Sequence, residues 1–151
     1  MLDNNLFDPE KISIEDFKLI KGQVDTPEDF DLTKVEGYEL DNSLQFGFNL
    51  ADKLVKTDFT IEIKTESKGE NTSEAIGNFH LVYIFYIENM EALAKPDKNN
   101  LIELNPLLGN ALSSITYSTS RGILLSRLQG TALQNFTLPV INPNKLLHIK
   151  K

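Results

Sequence analysis

Apolar side chains recur along this chain at two different spacings. Over 43–50, Leu44, Phe46, Phe48 and Leu50 alternate with Ser43, Gln45, Gly47 and Asn49. Over 56–65, Phe59, Ile61 and Ile63 alternate with Asp58, Thr60, Glu62 and Lys64. A period of two sends successive side chains to opposite faces of a strand, so each stretch predicts a strand with one buried and one wet face, as antiparallel sheets allow. The run over 79–87, FHLVYIFYI, is apolar on both faces apart from His80. It predicts a strand that is covered on both sides or leaves one side adhesive. The turn before it falls at 68–71, KGEN. Upstream, 16–24 predicts a further strand, with Phe17 and Leu19 on one face and Lys18, Ile20 and Val24 on the other. Between them, 25–40 reads as a long irregular connection marked by Pro27 and several acids. Its Phe30, Leu32, Val35, Tyr38 and Leu40 make it too apolar for a solvated linker.

The second spacing is helical. Leu104, Leu108, Ala111 or Leu112, Ile115, Thr119, Gly122 and Leu125 recur at steps of three and four, an amphipathic pattern. Asn105 is the expected N-cap, Pro106 the first helical residue and Gly130 the stop. Ser113, Ser114, Thr116, Ser118, Thr119, Ser120 and Gly122 are weak helix formers, so tertiary packing has to hold this helix. Its small side chains let a neighbouring backbone approach closely, whether inside one subunit or from a symmetry mate. Past 131, Pro139 and Pro143 keep the chain extended, with Leu138, Val140, Ile141, Leu146 and Leu147 pinning it. Residues 1–13 are polar and read as a loose arm. The whole, 1–151, predicts one α+β domain: long strands meandering in an antiparallel sheet, packed by one long C-terminal helix.

Composition narrows the chemistry. The 151 residues carry a net charge of −7 and no cysteine, which excludes disulfides, thiolate zinc sites and a thiol nucleophile. His80 and His148 stand far apart with no metal-ligand spacing. There is no Gly-rich phosphate loop, and nothing places pairs such as Glu28 and Asp29 in an apolar pocket. An enzyme and a bound cofactor are therefore not expected. No apolar run approaches about 18 residues, so no membrane span is expected. The start lacks a basic and an apolar region, so the expected location is the cytoplasm. Acids crowd the front: residues 1–41 hold 12 acids and 4 lysines, whereas 104–151 hold 5 bases and no acid. That front half argues against nucleic acid, which needs clustered Lys and Arg.

A resemblance sharpens the picture. Ser120-Arg121-Gly122 lies inside the predicted helix, and Leu138-Pro139-Val140-Ile141-Asn142 follows after a loop, then Leu146-Leu147. The stretch 110–147 resembles the C-terminal third of the SecB family of cytosolic protein-export chaperones. The upstream order is similar too: one strand, a crossover loop, three more strands, then the helix. Pro139 is displaced by one position and Pro143 stands where the family prefers Phe. A counterpart of the family's second helix and of its acidic tail, which contacts the export motor, is not expected, since residues 150 and 151 are Lys150 and Lys151.

The resemblance implies a four-stranded antiparallel sheet with a long crossover after strand 1, and a homo-oligomer built as a dimer of dimers. It implies unfolded client polypeptides in a groove beside the helix, and an export motor or an antitoxin as partner. A holdase must expose apolar surface beside solubilising charge. Phe30 and Tyr38 on the loop are the first candidates to bind clients, with Tyr83, Phe85 and Tyr86 extending the surface; the alternative for each is a core aromatic. Ser114, Ser118, Arg121 and Leu125 are the expected oligomer interface. Two rival readings are a non-enzymatic assembly subunit and a carrier that closes on a small hydrophobic ligand.

Overall fold

The computed structural model describes residues 6–142 and Lys145. Four long strands form one antiparallel sheet: β1 (Ile12–Asp25), β2 (Val35–Asn49), β3 (Leu54–Ser67) and β4 (Ile76–Ile87). Their order across the sheet is β1-β4-β3-β2. The chain therefore passes from one edge to the other between its first two strands, then returns by two hairpin connections. A single helical turn, α1 (Met90–Leu93), and a small hairpin, β5 (Ala94–Pro96) with β6 (Ile102–Leu104), lead into the long helix α2 (Pro106–Arg127). The sequence over 91–100 reads as a polar loop around Pro96, which the hairpin replaces in part.

Paired residues share a face, so the register sorts the side chains. Phe17, Tyr83 and Thr57 lie in one cross-strand row with Phe46; Leu19, Leu81, Phe59 and Leu44 form the next. This face carries the core, with Val55, Phe59, Ile61, Ile63, Phe79, Leu81, Tyr83 and Phe85 buried together with Leu108, Leu112 and Leu124 of α2. The opposite face presents Lys18, Lys21, Asp41, Ser43, Asp58, Thr60, Glu62 and His80, with no helix over it among the described residues. The doubly apolar β4 is thus sealed on one side only. Its other side leaves Ile84 and Tyr86 half-buried.

The helix starts and ends as its residues dictate. Asn105 Oδ1 accepts the backbone N–H groups of Leu107 and Leu108 at 2.8 and 3.2 Å, and Pro106 fills the first position. Gly130 takes φ +78° in the turn that follows. Its buried stripe departs from expectation beyond Leu112. Thr116, Ser120 and Leu124 face the sheet, whereas Thr119, Gly122 and Leu125 face outward. The reason is hydrogen bonding. Thr57 and Thr116 hydroxyls pair at 2.8 Å, and the Tyr83 hydroxyl meets Ser120 Oγ at 2.9 Å. Ser113 Oγ donates to the Gly109 carbonyl at 2.9 Å. Small hydroxyls on the inner face bring helix and sheet close, and each buried hydroxyl finds a partner.

Three strand boundaries also shift. β1 begins at Ile12, which pairs with Ile87, and Lys11 accepts the Glu88 N–H at 3.0 Å. The described part of the expected arm is therefore tied down, with Phe7 packed on the core. β2 begins at Val35, so Tyr38 and Leu40 belong to a strand and the crossover shrinks to 26–34. β4 begins at Ile76, paired with Asp25 and Lys64, and its Gly77 leaves room for Leu133: a Cβ there would stand 2.5 Å from Leu133 Cδ1. Leu133, Phe136 and Leu138 then close the core past the helix. Leu146, Leu147, Pro143, His148 and the terminal lysines lie outside the described residues.

Candidate functional site

β2 forms one margin of the sheet. Its helix-side row reads Tyr38, Leu40, Asn42, Leu44, Phe46 and Phe48, opposite Thr65, Ile63, Ile61, Phe59, Thr57 and Val55 of β3. Leu44 is sealed, and the other five are half-buried. The Phe46 and Phe48 rings meet edge-on at 6.1 Å, and Tyr38 meets Phe136 edge-on at 5.2 Å. Burial against that segment pushes the Tyr38 phenol above its ordinary value. β2 pairs with β3 in continuous register from Gly37 to Asn49. Among the described residues no strand pairs with its outer edge. Every second residue therefore turns its N–H and C=O outward, beside a row of half-exposed apolar groups.

The crossover supplies Phe30 near the start of this strand. Phe30 is half-buried and donates its N–H to the Pro27 carbonyl at 3.0 Å. Asp31 then caps a short helical turn, accepting the Thr33 hydroxyl at 2.6 Å and the Thr33 N–H at 3.0 Å. These two donors hold its carboxyl below the usual range. Past the far end of the Tyr38–Thr65 pair, Glu74 accepts from Thr65 Oγ1, from the Ser67 N–H and hydroxyl, and from Thr72. Desolvation works to raise its carboxyl, but these donors together hold it below its ordinary value.

The other aromatic candidates divide. Tyr83 and Phe85 are 1% and 0% exposed, stacked on each other beneath α2, with Phe17 at 5.0 Å from Tyr83. They are core residues rather than exposed ones, because β4 is a central strand and its odd positions face the helix. Burial also pushes the Tyr83 hydroxyl up, the Ser120 bond opposing it. Tyr86 lies on the opposite face, half-buried, and joins neither group. Sequence reasoning missed Phe46 and Phe48 as surface candidates. The alternation that placed them on a buried face gave no sign that the strand is an edge.

Ser114, Ser118, Arg121 and Leu125 come together on the outward face of α2, with Leu107 at its start. Ser118 and Leu125 are exposed; Ser114 and Arg121 are half-buried. Within the Ser120-Arg121-Gly122 step only Ser120 is buried. In the later segment Leu138 is buried, Pro139 accepts the Tyr117 hydroxyl at 2.7 Å, and Val140 is 85% exposed.

The open sheet face carries a trough of about 600 Å³ walled by Lys21, His80, Thr60, Ser43, Glu62 and Asp41. His80 Nε2 lies 2.8 Å from Asp58 Oδ1, and Lys56 Nζ lies 3.4 Å from the other oxygen. Ser43 and Thr60 hydroxyls bond each other at 2.7 Å. These groups satisfy one another across the strands. Among the described residues no three His, Asp or Glu side chains gather to hold a metal.

No protein-family model matches the chain, and a search of curated proteins gives no match either. Among solved structures, the fold is similar to the SecB-like chaperone Rv1957 of Mycobacterium tuberculosis, in complex with a ChAD peptide from the antitoxin HigA1. The TM-score is 0.63 at 14% identity, over 87% of this chain and 91% of that one. The α+β architecture, a four-stranded antiparallel sheet with one long C-terminal helix, is thus the SecB-like fold. No helix among the described residues is long and apolar enough to cross a membrane.

Proposed function

We propose that this chain is a holdase-type chaperone that captures extended, non-native polypeptide along the β2 margin. The observation that carries the reading is the coincidence of two features on one strand. An unpaired edge offers backbone hydrogen bonds to any sequence, and Tyr38, Leu40, Phe46 and Phe48 offer apolar contact on one side of it. Phe30 extends that surface at the crossover. Main-chain pairing is blind to sequence, so such a margin suits clients that share only an extended, partly apolar backbone.

The neighbour's complex with an antitoxin peptide supports a peptide partner at the level of the fold. An antitoxin segment is the favoured specific partner here, ahead of an export motor. We further propose a cytoplasmic homo-oligomer assembled through the outward face of α2, where Leu107 and Leu125 bracket Ser114, Ser118 and Arg121. A purely structural subunit would use that helix face and leave the β2 margin idle. The experiment that separates the two is binding of labelled unfolded peptides to wild type and to a Phe46→Ser/Phe48→Ser variant, with molar mass measured alongside. A chaperone loses peptide affinity in the variant at unchanged mass; an assembly subunit binds peptide in neither.

A further inference from the structure

Asn42 interrupts the helix-side row of β2. It is the one amide among Tyr38, Leu40, Leu44, Phe46 and Phe48, and it stands opposite Ile61, which is 3% exposed. Three hydroxyls on this side of the sheet are paired: Thr57 with Thr116, Thr65 with Glu74, Tyr83 with Ser120. No side-chain hydrogen bond joins Asn42 to another described residue, and it is half-buried, so its amide stays open to solvent. Asparagine is disfavoured in strands, and here no side-chain hydrogen bond to a described residue offsets that.

We propose that Asn42 determines specificity at this margin, selecting extended segments that bring a side-chain amide or hydroxyl to the position facing it. The inference rests on the reading of β2 as the client-binding edge. A strand added along β2 puts the directly opposed side chain on the same face, with Cβ atoms about 4.5–5.5 Å apart. With Leu40 and Leu44 on either side, that strand removes the water from Asn42. A leucine overhead leaves the amide's two donors and its acceptor unpaired, whereas an amide or hydroxyl replaces the lost water. Register follows from the same asymmetry. An all-apolar row accepts an apolar segment at any two-residue slip, because alternate positions are equivalent. One polar position in the row makes one alignment better than the rest, as a lone asparagine does in a coiled coil.

Two fluorescent nine-residue peptides test this, one alternating Leu with Lys or Thr and one identical except for Asn at the central Leu. Anisotropy on wild type is expected to show the Asn peptide binding about tenfold more tightly. Asn42→Leu should abolish or invert that preference, and Asn42→Thr should keep part of it. Because the chain has no cysteine, Gln45→Cys can report register by cross-linking to single-cysteine peptides. One cross-link position is expected with Asn42 present and several, two residues apart, with Asn42→Leu. Equal affinities on wild type, or an unchanged preference in Asn42→Leu, overturn the proposal. Gln45→Cys chains that link to each other and exclude peptide overturn it too, by placing a second copy on the edge. Failure of both peptides to bind wild type removes the β2 reading itself.

Discussion

One face of the sheet holds two aromatic groups that differ only in how far they lie from its centre. Phe59, Tyr83 and Phe85 sit on central strands beneath α2 and are sealed. Tyr38, Phe46 and Phe48 sit on β2, one of the two edge strands, in the same alternation, and are half-buried. Residue type and period are shared, so neither tells a core ring from a surface ring. Strand order does, because one helix lies over the middle of a sheet and thins out at its margins.

The sharpest way to test that contrast is truncation on each side of it. Phe85→Ala should cost about 3–5 kcal/mol of unfolding free energy, through lost burial and the cavity left behind. Phe46→Ala should cost distinctly less and fall instead on peptide affinity. Urea unfolding of the two variants checks the order; equal losses would erase the distinction.

The sealed region also depends on its hydroxyl pairs. Thr116→Val strands the Thr57 hydroxyl in the core and should cost about 1–3 kcal/mol. Adding Thr57→Val removes the orphan and should recover most of that loss, as the double-mutant cycle would show.

These pairs explain what the sequence did and did not disclose. The strands over 43–50 and 56–65 are legible because a polar or charged residue, or Gly47, stands at every second position. Asn42 breaks the alternation that runs from Tyr38 to Phe48, so the pattern predicts a strand only from Ser43 and puts Tyr38 in the connection, whereas β2 begins at Val35. Past Leu112 the inner helix face escapes the apolar pattern, because Thr116 and Ser120 count as polar until their partners on the sheet are known. Of the site candidates, Ser114, Ser118, Arg121 and Leu125 do share a face, as helical spacing requires. Tyr83, Phe85 and Tyr86 could not be sorted without strand order, which pairing across the sheet decides.

The outward face of α2 should tolerate change. Ser118→Leu touches nothing in the subunit, so its own stability should move by no more than about 0.5 kcal/mol. Its molar mass by light scattering should change if that face is an interface. A large drop in thermal midpoint at unchanged mass would mean that the face is buried within one subunit.

The smallest effect is expected at the Tyr38 end of the margin, where Glu74 ties Thr65 and Ser67. Its folded-state pKa lies below the ordinary carboxyl value, so the unfolded chain binds its proton first as pH falls. The stabilisation is complete above that ordinary value and is lost as pH drops through the folded one. Thermal midpoints of wild type and Glu74→Gln should therefore differ near neutrality and converge in acid.

Light scattering from a chemically unfolded protein diluted into buffer tests the account most directly. Wild type in several-fold excess should suppress aggregation, and a folded Phe46→Ser/Phe48→Ser variant should lose most of that protection. No suppression by wild type, or equal suppression by the variant, would contradict the claim that the β2 margin holds clients.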